Sequence, residues 1–231
     1  MSLSGEALAY RPFDSTDADV AKPLELELEL GPLDYLVIGQ ASWLAVPNVV
    51  VNLGVVPGLE AVLEGQQFIR LGPTGGLPRV SLEATALQLK GMLRNGSLQE
   101  APGPSIAVEG SLLLPTVNDG PGVGGELAII VSQRFAATTL SLNGGVLLTR
   151  AGNFGLDGGL IVEGPNSWTL RPVAEVLVEY EASVGTILSC LVGAILRIDE
   201  NLTLDMALRG GRDESHALAE FRAGLTWTIP L

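Results

Sequence analysis

Seven residues, Leu24-Glu25-Leu26-Glu27-Leu28-Glu29-Leu30, alternate without a break between leucine and glutamate. On a helix this order would scatter leucines to every side and leave no sorted face. Successive side chains of a strand point to opposite faces, so here one face is all leucine and the other all carboxylate. The same sorting closes the chain: Phe221, Ala223, Leu225, Trp227, Ile229 and Leu231 share one side, and Glu220, Arg222, Gly224, Thr226 and Thr228 share the other. In a soluble sandwich the apolar side would be core. In a barrel within a membrane it would face lipid, and the polar side would line the lumen.

Composition extends this pattern to the whole chain. Hydrophobic residues make up 47% and mean hydropathy is +0.37, yet 17% of residues are charged. No run approaches the ~18 uninterrupted apolar residues of a membrane helix, so the apolarity is dispersed by alternation. The 29 glycines and 14 prolines suit many short strands joined by turns. At 231 residues one all-β domain is expected. The net charge of -13 makes nucleic acid an excluded partner and anionic lipid surfaces poor ones. With Cys190 the only cysteine, no internal disulfide and no cysteine-rich metal site can form. Met1-Ser2-Leu3-Ser4-Gly5-Glu6 lacks the basic and apolar regions of a secretory signal, so export would imply a mature form with an added start.

Taken in order, residues 1–23 are a polar segment without period, ending at Pro23, that reads as an arm able to fold into a lumen. Residues 24–231 read as the barrel. Leu24–Leu30, continued by Leu33–Leu36, is followed by Pro47–Val55, with Val49, Val51 and Leu53 opposite Asn48, Val50 and Asn52. Leu59–Leu71 places Glu60, Glu64, Gln66 and Arg70 against Ala61, Leu63, Ile69 and Leu71, with Gln67 an exception. In Val80–Leu93 the polar Ser81, Glu83 and Thr85 are out of phase with Leu87, Leu89 and the polar-side Lys90, which calls for a bulge. Ser105–Leu114 carries Glu109 inward. Gly125–Phe135, with Glu126 and Arg134, and Thr138–Arg150 read as a hairpin. Gly158–Gly164 is short, with Glu163 inward. Leu170–Glu181 sorts Arg171, Glu175, Glu179 and Glu181 to one face, Thr186–Ile198 is oriented by Ser189, Gly193 and Arg197, and Asn201–Arg209 places Asp205 and Arg209 opposite its leucines.

About twelve segments near the ~9–11 residues that cross an outer membrane predict an all-β, roughly twelve-stranded antiparallel up-and-down transmembrane β-barrel. A soluble barrel of that size would enclose more volume than its side chains could fill, although a two-sheet soluble sandwich that binds a ligand stays open. Aromatics are only 5%, but Tyr35, Trp43, Phe68, Phe135, Phe154, Trp168, Tyr180, Phe221 and Trp227 fall mostly near strand ends, where interfacial girdles sit.

Two resemblances follow from these residues. Arg222, Gly224, Trp227 and Ile229 resemble the C-terminal signal by which bacterial outer-membrane barrels are recognised for assembly, although the chain ends Ile229-Pro230-Leu231 where that signal places an aromatic. The acidic lead Arg11-Pro12-Phe13-Asp14-Ser15-Thr16-Asp17-Ala18, the strand Leu24–Leu30, the segment Pro47–Gly54, the strand reaching Lys90 and the closing strand are similar to the putative-transporter barrels found with phenol-degradation pathways. That resemblance implies the outer membrane of a Gram-negative bacterium and passive passage of a small-molecule solute. Membrane lipid and the barrel-assembly machinery are the implied partners; no cofactor is expected, and oligomeric state and solute are left open.

Catalysis is not expected. His216, the only histidine, lies in the polar turn Gly210–Leu218 beside Asp213, Glu214 and Ser215, which is a solvated loop rather than an oriented triad. No Cys/His spacing suits a metal. Gly120-Pro121-Gly122-Val123-Gly124-Gly125 lacks the Lys-Ser/Thr and the helix of a phosphate loop and reads as a hairpin loop. Cys190, between Leu188 and Val192 on the apolar face, reads as inert packing. The functional signal is the inward charge. Glu25, Glu27, Glu29, Glu60, Glu64, Glu109, Glu126, Glu163, Glu175, Glu179, Glu181 and Asp205 stand against Arg70, Lys90, Arg134, Arg171, Arg197, Arg209 and Arg222, an acidic excess. Such a wall either pairs across strands and fills the lumen as a plug, or lines a water-filled path that prefers cations.

Overall fold

The structure, a computed structural model, describes residues 11–73, 75–118, 122–213 and 215–231. Twelve strands follow one another: β1 (Glu25–Ile38), β2 (Ala41–Val56), β3 (Leu59–Arg70), β4 (Val80–Arg94), β5 (Ser105–Leu113), β6 (Gly124–Phe135), β7 (Thr138–Leu148), β8 (Phe154–Glu163), β9 (Leu170–Glu181), β10 (Gly185–Arg197), β11 (Leu202–Arg212) and β12 (Ala217–Pro230). Each pairs antiparallel with its neighbours in sequence, and β1 pairs with β12, from Glu25 opposite Pro230 to Ile38 opposite Leu218. The sheet therefore closes without an edge, as a strand structure surrounded by hydrocarbon requires.

Alternation is what sorts the two faces. On β9, Arg171, Val173, Glu175, Leu177, Glu179 and Glu181 face inward, while Leu170, Val176, Val178 and Tyr180 are exposed. Outward leucines or valines are exposed on each of β1 to β11, among them Leu89, Leu142, Val192 and Leu208, each at 58–60%, and β12 exposes Trp227. An apolar belt that encircles the molecule has no place in water, and the barrel is a transmembrane one. Exposed aromatics fall into two groups. Phe135, Trp168 and Trp227 lie at the end where β1 starts, and Tyr35, Phe154 and Tyr180 lie toward the far end.

Where the alternation slips, the register shows why. The polar residues Ser81 and Glu83 and the inward Ala86, Gln88 and Lys90 are reconciled by two residues, Ala84 and Thr85, set opposite the single Gly65, with Ala84 at φ 49. This is the bulge that the phase change in β4 requires. A second irregularity at Gly31-Pro32 joins Leu24–Leu30 and Leu33–Leu36 into one strand and turns Asp34 inward. A third surrounds Pro47, which lies inside β2 rather than at its start, because a bulge tolerates the missing N–H. The segment expected from Gly158 begins earlier, at Phe154, because Leu156 and Asp157 continue its alternation through glycines.

Two sequence expectations are corrected. Trp43 and Phe68 are not girdle residues: they pair with the inward Leu36 and Ala45, and the Arg70 guanidinium lies 5.0 Å from the Trp43 ring centroid. Cys190 is exposed on the outer face rather than packed. The loop Gly120–Gly125 and the turn around Glu214 lie partly outside the described residues, as does the arm before Arg11.

Candidate functional site: an arm inside the barrel

Residues 11–23 do not hang outside the barrel. They enter beside β2 and circle the interior wall, so that Pro12, Phe13 and Ala18 are at most 2% exposed and Arg11, Asp14, Ser15 and Thr16 are buried. An extended segment without secondary structure leaves its backbone amides unpaired, and burial is tolerable only if the wall supplies acceptors. It does. The amide of Ala21 donates to Glu60 at 2.5 Å, that of Ala18 to the Ser132 hydroxyl at 2.8 Å, and those of Asp14 and Ser15 to the Glu175 carboxylate at 2.9 and 2.8 Å. Arg11 donates its amide to Glu29 at 3.0 Å. Asn143 reads Thr16 in both directions, donating Nδ2 to its carbonyl at 2.8 Å and accepting its amide at 3.3 Å.

Side chains complete the attachment. The Arg11 guanidinium pairs with Asp205 through Nε and Nη2, each at 3.2 Å. Asp14 lies between two arginines, 2.7 Å from Arg222 and 3.0 Å from Arg209, which also reach Glu220 at 2.8 and 3.6 Å. Arg209 contacts Glu179 at 3.2 Å, and Arg222 donates to the Pro12 carbonyl at 3.0 Å. Lys90 donates to the Thr16 hydroxyl at 3.0 Å and faces Asp17 at 3.8 Å. Charges taken out of water this way are stable only with every partner in place. Phe13 adds an apolar anchor, packed on Ile161, Val173, Leu191, Ile195 and Ala207 of β8 to β11. Burying a ring of this size is worth about 1.5–3 kcal/mol.

The wall is shaped for the arm. A Cβ on Gly159 would collide with Ser15, one on Gly224 with the Arg11 guanidinium, and one on Gly54 with the Lys22 carbonyl. Three strands thus carry no side chain where the arm passes. The glycine of β12 taken from sequence as part of an assembly pattern also makes room for Arg11.

Each residue expected on the polar face can now be placed. Glu29, Glu60, Glu64, Lys90, Glu109, Glu163, Glu175, Glu181, Asp205 and Arg222 are buried inside the barrel. Glu25, Glu27, Arg70, Glu126, Arg134, Arg171, Glu179 and Arg209 are half-buried on the same inner face. Arg197 is exposed at the end of β10, directed to the carbonyls of Asn166 and Ser167. Arg222 and Gly224 face inward; Trp227 is 49% exposed on the outer face, which Ile229 shares. Sequence reasoning missed Asp34 and Asp157 as interior acids and left Glu220, sorted to the polar side of the closing strand, out of the inward charges. Glu220 has the parity of Arg222 and was legible, whereas Asp34 is hidden by the bulge at Pro32. It also missed the interior contacts of Arg11 and Asp14, for which only their place in a polar segment before the first strand gave a signal.

Among the described residues, two spaces lie beside the arm. One of about 100 Å³ lies toward the far end, bounded by Asp34, Glu64, Gln66 and Phe68 of the wall and by Arg11 and Phe13. The other, of about 770 Å³, opens at the end where the arm enters, between β1 to β5 and residues 16–23. Its wall is strongly acidic. Among the described residues no three His, Cys, Asp or Glu side chains converge so as to hold a metal ion. His216 lies in the far-end turn between β11 and β12, 3.5 Å from Asp213. The Asp213 carboxyl, outside the spanning strands, is held below its ordinary range because the backbone amides of Ser215 and His216 donate to it.

No protein-family model matches the chain, and no curated protein matches it. Solved structures do. An outer membrane channel from Pseudomonas putida F1 superposes with a TM-score of 0.65 at 9% identity, covering 95% of this chain and 99% of that one. The KdgM porin gives 0.58 at 11% identity over 89% and 99%. A monoaromatic hydrocarbon channel, CymD, gives 0.50 at 9% over 93% and 90%. At such identities the likeness is one of fold: a barrel of the outer-membrane channel type.

Proposed function

We propose that this chain is an outer-membrane channel for small solutes whose resting lumen is closed by its own N-terminal arm, and whose conducting state prefers cations. The single observation that carries the reading is the arm itself, a removable segment buried in the lumen of a barrel built like channels. A barrel needed only as a structural plug would fill its interior with wall side chains. Here a thirteen-residue segment, residues 11–23, runs along the interior, joined to the wall by hydrogen bonds and ion pairs that can break and re-form. Residues 1–23 act as the arm and 24–231 as the barrel. The inner wall supports the cation preference, since its acids outnumber its bases and confined carboxylates concentrate cations. The apolar belt takes membrane lipid as its partner, in the outer membrane of a Gram-negative bacterium, and Arg222, Gly224, Trp227 and Ile229 present the strand that the assembly machinery reads.

Planar-bilayer recording tests the proposal. Under a salt gradient, reversal potentials should report cation preference, and the Glu25→Gln, Glu27→Gln, Glu29→Gln triple variant should reduce it while the barrel stays folded. Anion preference, or an unchanged reversal potential in that variant, would overturn it.

A further inference from the structure

The larger chamber carries more chemistry than general cation preference. Five strand carboxylates line it, Glu25, Glu27 and Glu29 of β1, Glu60 of β3 and Glu109 of β5, and Glu100 joins them from the β4–β5 connection. The arm adds Asp17 and Asp19, while Lys22 and Lys90 are the cations that face them. Several of these acids are already engaged. Glu29 accepts from Asn52 and the Arg11 amide, Glu60 accepts from the Ala21 amide, and Glu25 lies 4.0 Å from Lys22. Glu109 stands opposite Lys90 in the β4–β5 register but is only partly engaged. It is 3% exposed, lines the chamber, and its Oε1 has no hydrogen-bond partner among the described residues. A buried carboxylate oxygen without a donor costs free energy, and a donor brought by a ligand recovers it. Glu27 is nearly as open, with a 3.4 Å contact from the Thr228 hydroxyl as its one hydrogen bond among the described residues.

The arrangement selects among cations. A divalent metal needs carboxylates converging on one point, and none of the described acids converge so. A quaternary ammonium calls for an aromatic cage, and among the described residues no aromatic one lines the chamber. What the chamber offers is carboxylates in separate places. Glu25, Glu27 and Glu29 repeat at about 6.7 Å along β1, twice the rise of a strand residue. Glu109 stands four strands away across the space, and Val62, Met92 and Leu98 supply apolar surface between. A chain of amines separated by three or four methylenes matches charges at that repeat and lays its methylenes on those side chains.

We propose that the chamber between residues 16–23 of the arm and strands β1 to β5 is a binding site for linear oligoamines, with Glu27 and Glu109 as the carboxylates that receive the terminal ammonium groups. This rests on the reading of the barrel as an acidic lumen, and it names the solute class. Calorimetric titration of the full-length, detergent-solubilised chain with spermidine tests it, with magnesium chloride at matched ionic strength as the comparison. Spermidine should bind saturably, magnesium should not displace it, and Glu109→Gln and Glu27→Gln should each weaken binding about tenfold. No saturable heat, displacement by magnesium at matched ionic strength, or full affinity in both variants would overturn the proposal. If Glu109→Gln fails to fold, Glu27→Gln, at the half-buried position, decides alone. Failure here is distinguishable from failure of the channel reading. Spermidine binding with no ionic conductance sinks the channel and keeps the site, whereas cation-selective conductance without spermidine binding does the reverse.

Discussion

Replacing Phe13 with alanine should release the arm. The ring is 2% exposed and packed against Ile161, Val173, Leu191, Ile195 and Ala207, five side chains from four strands fixed in the barrel ladder. A rigid wall cannot collapse into the space left behind, so the cost belongs near the usual range for Phe to Ala, about 3–5 kcal/mol. The penalty falls on the docked state alone, because in the released state residue 13 is solvated whichever side chain it carries. At about 1.4 kcal/mol per factor of ten, the ratio of released to docked arm should rise by roughly two to three and a half powers of ten. Hydrogen exchange in detergent reads this directly. The amides of Asp14, Ser15 and Ala18 donate to Glu175 and Ser132 of the wall, so their exchange should accelerate by about that factor while the barrel ladder keeps wild-type rates. Exchange of these three amides within about twofold of wild type would refute the reasoning, since it would mean that the ring does not hold the arm.

The remaining predictions concern other parts of the same attachment. Gly159→Val should place its side chain on Ser15 and raise exchange at Ser15 and Thr16, with the barrel still folded because residue 159 is in regular strand; unchanged protection would mean that the arm can pass elsewhere. Arg222→Met removes one member of the Asp14, Glu220 and Arg209 cluster and leaves buried carboxylates without it, so thermal unfolding should occur earlier by an amount equivalent to about 3–5 kcal/mol. The β11–β12 turn should keep its order into more acid solution than an ordinary Asp would allow. Hydrogen bonding holds Asp213 below its usual range, so its contribution is present above that range and lost only as pH falls through the depressed value, which NMR of the Ser215 and His216 amides would follow.

Much of the barrel was legible because a half-buried strand writes its environment into every second residue. Leu170–Glu181 could be sorted residue by residue, and β4 announced its own bulge through the phase of Ser81 and Glu83 against Leu87 and Leu89. What could not be read has a common cause. Asp34 changes face because Pro32 interrupts pairing, and periodicity carries no signal across an irregular residue. Trp43 and Phe68 look like girdle residues by their nearness to strand ends, but which face they take depends on register across the bulge at Pro47. The arm has no period at all. Its path is set by contacts such as Asp14 with Arg222, 208 residues apart in sequence, and by the absence of a Cβ at Gly159 and Gly224. A glycine on an inner face reads from sequence as a weak strand position, and only the structure shows that something passes there.

The central claim is that the arm closes the lumen and must move for the channel to conduct. It is tested most directly by tying the arm in place. A Cβ on Gly159 would lie 3.0 Å from the Ser15 Cβ, close enough for a disulfide after a small shift, so the Ser15→Cys, Gly159→Cys pair in a Cys190→Ser background gives a reversible lock. Single-channel recording of that protein should show a closed barrel under oxidising conditions and openings once a reductant is added. Equal conductance before and after reduction, including none in either state, would contradict the account.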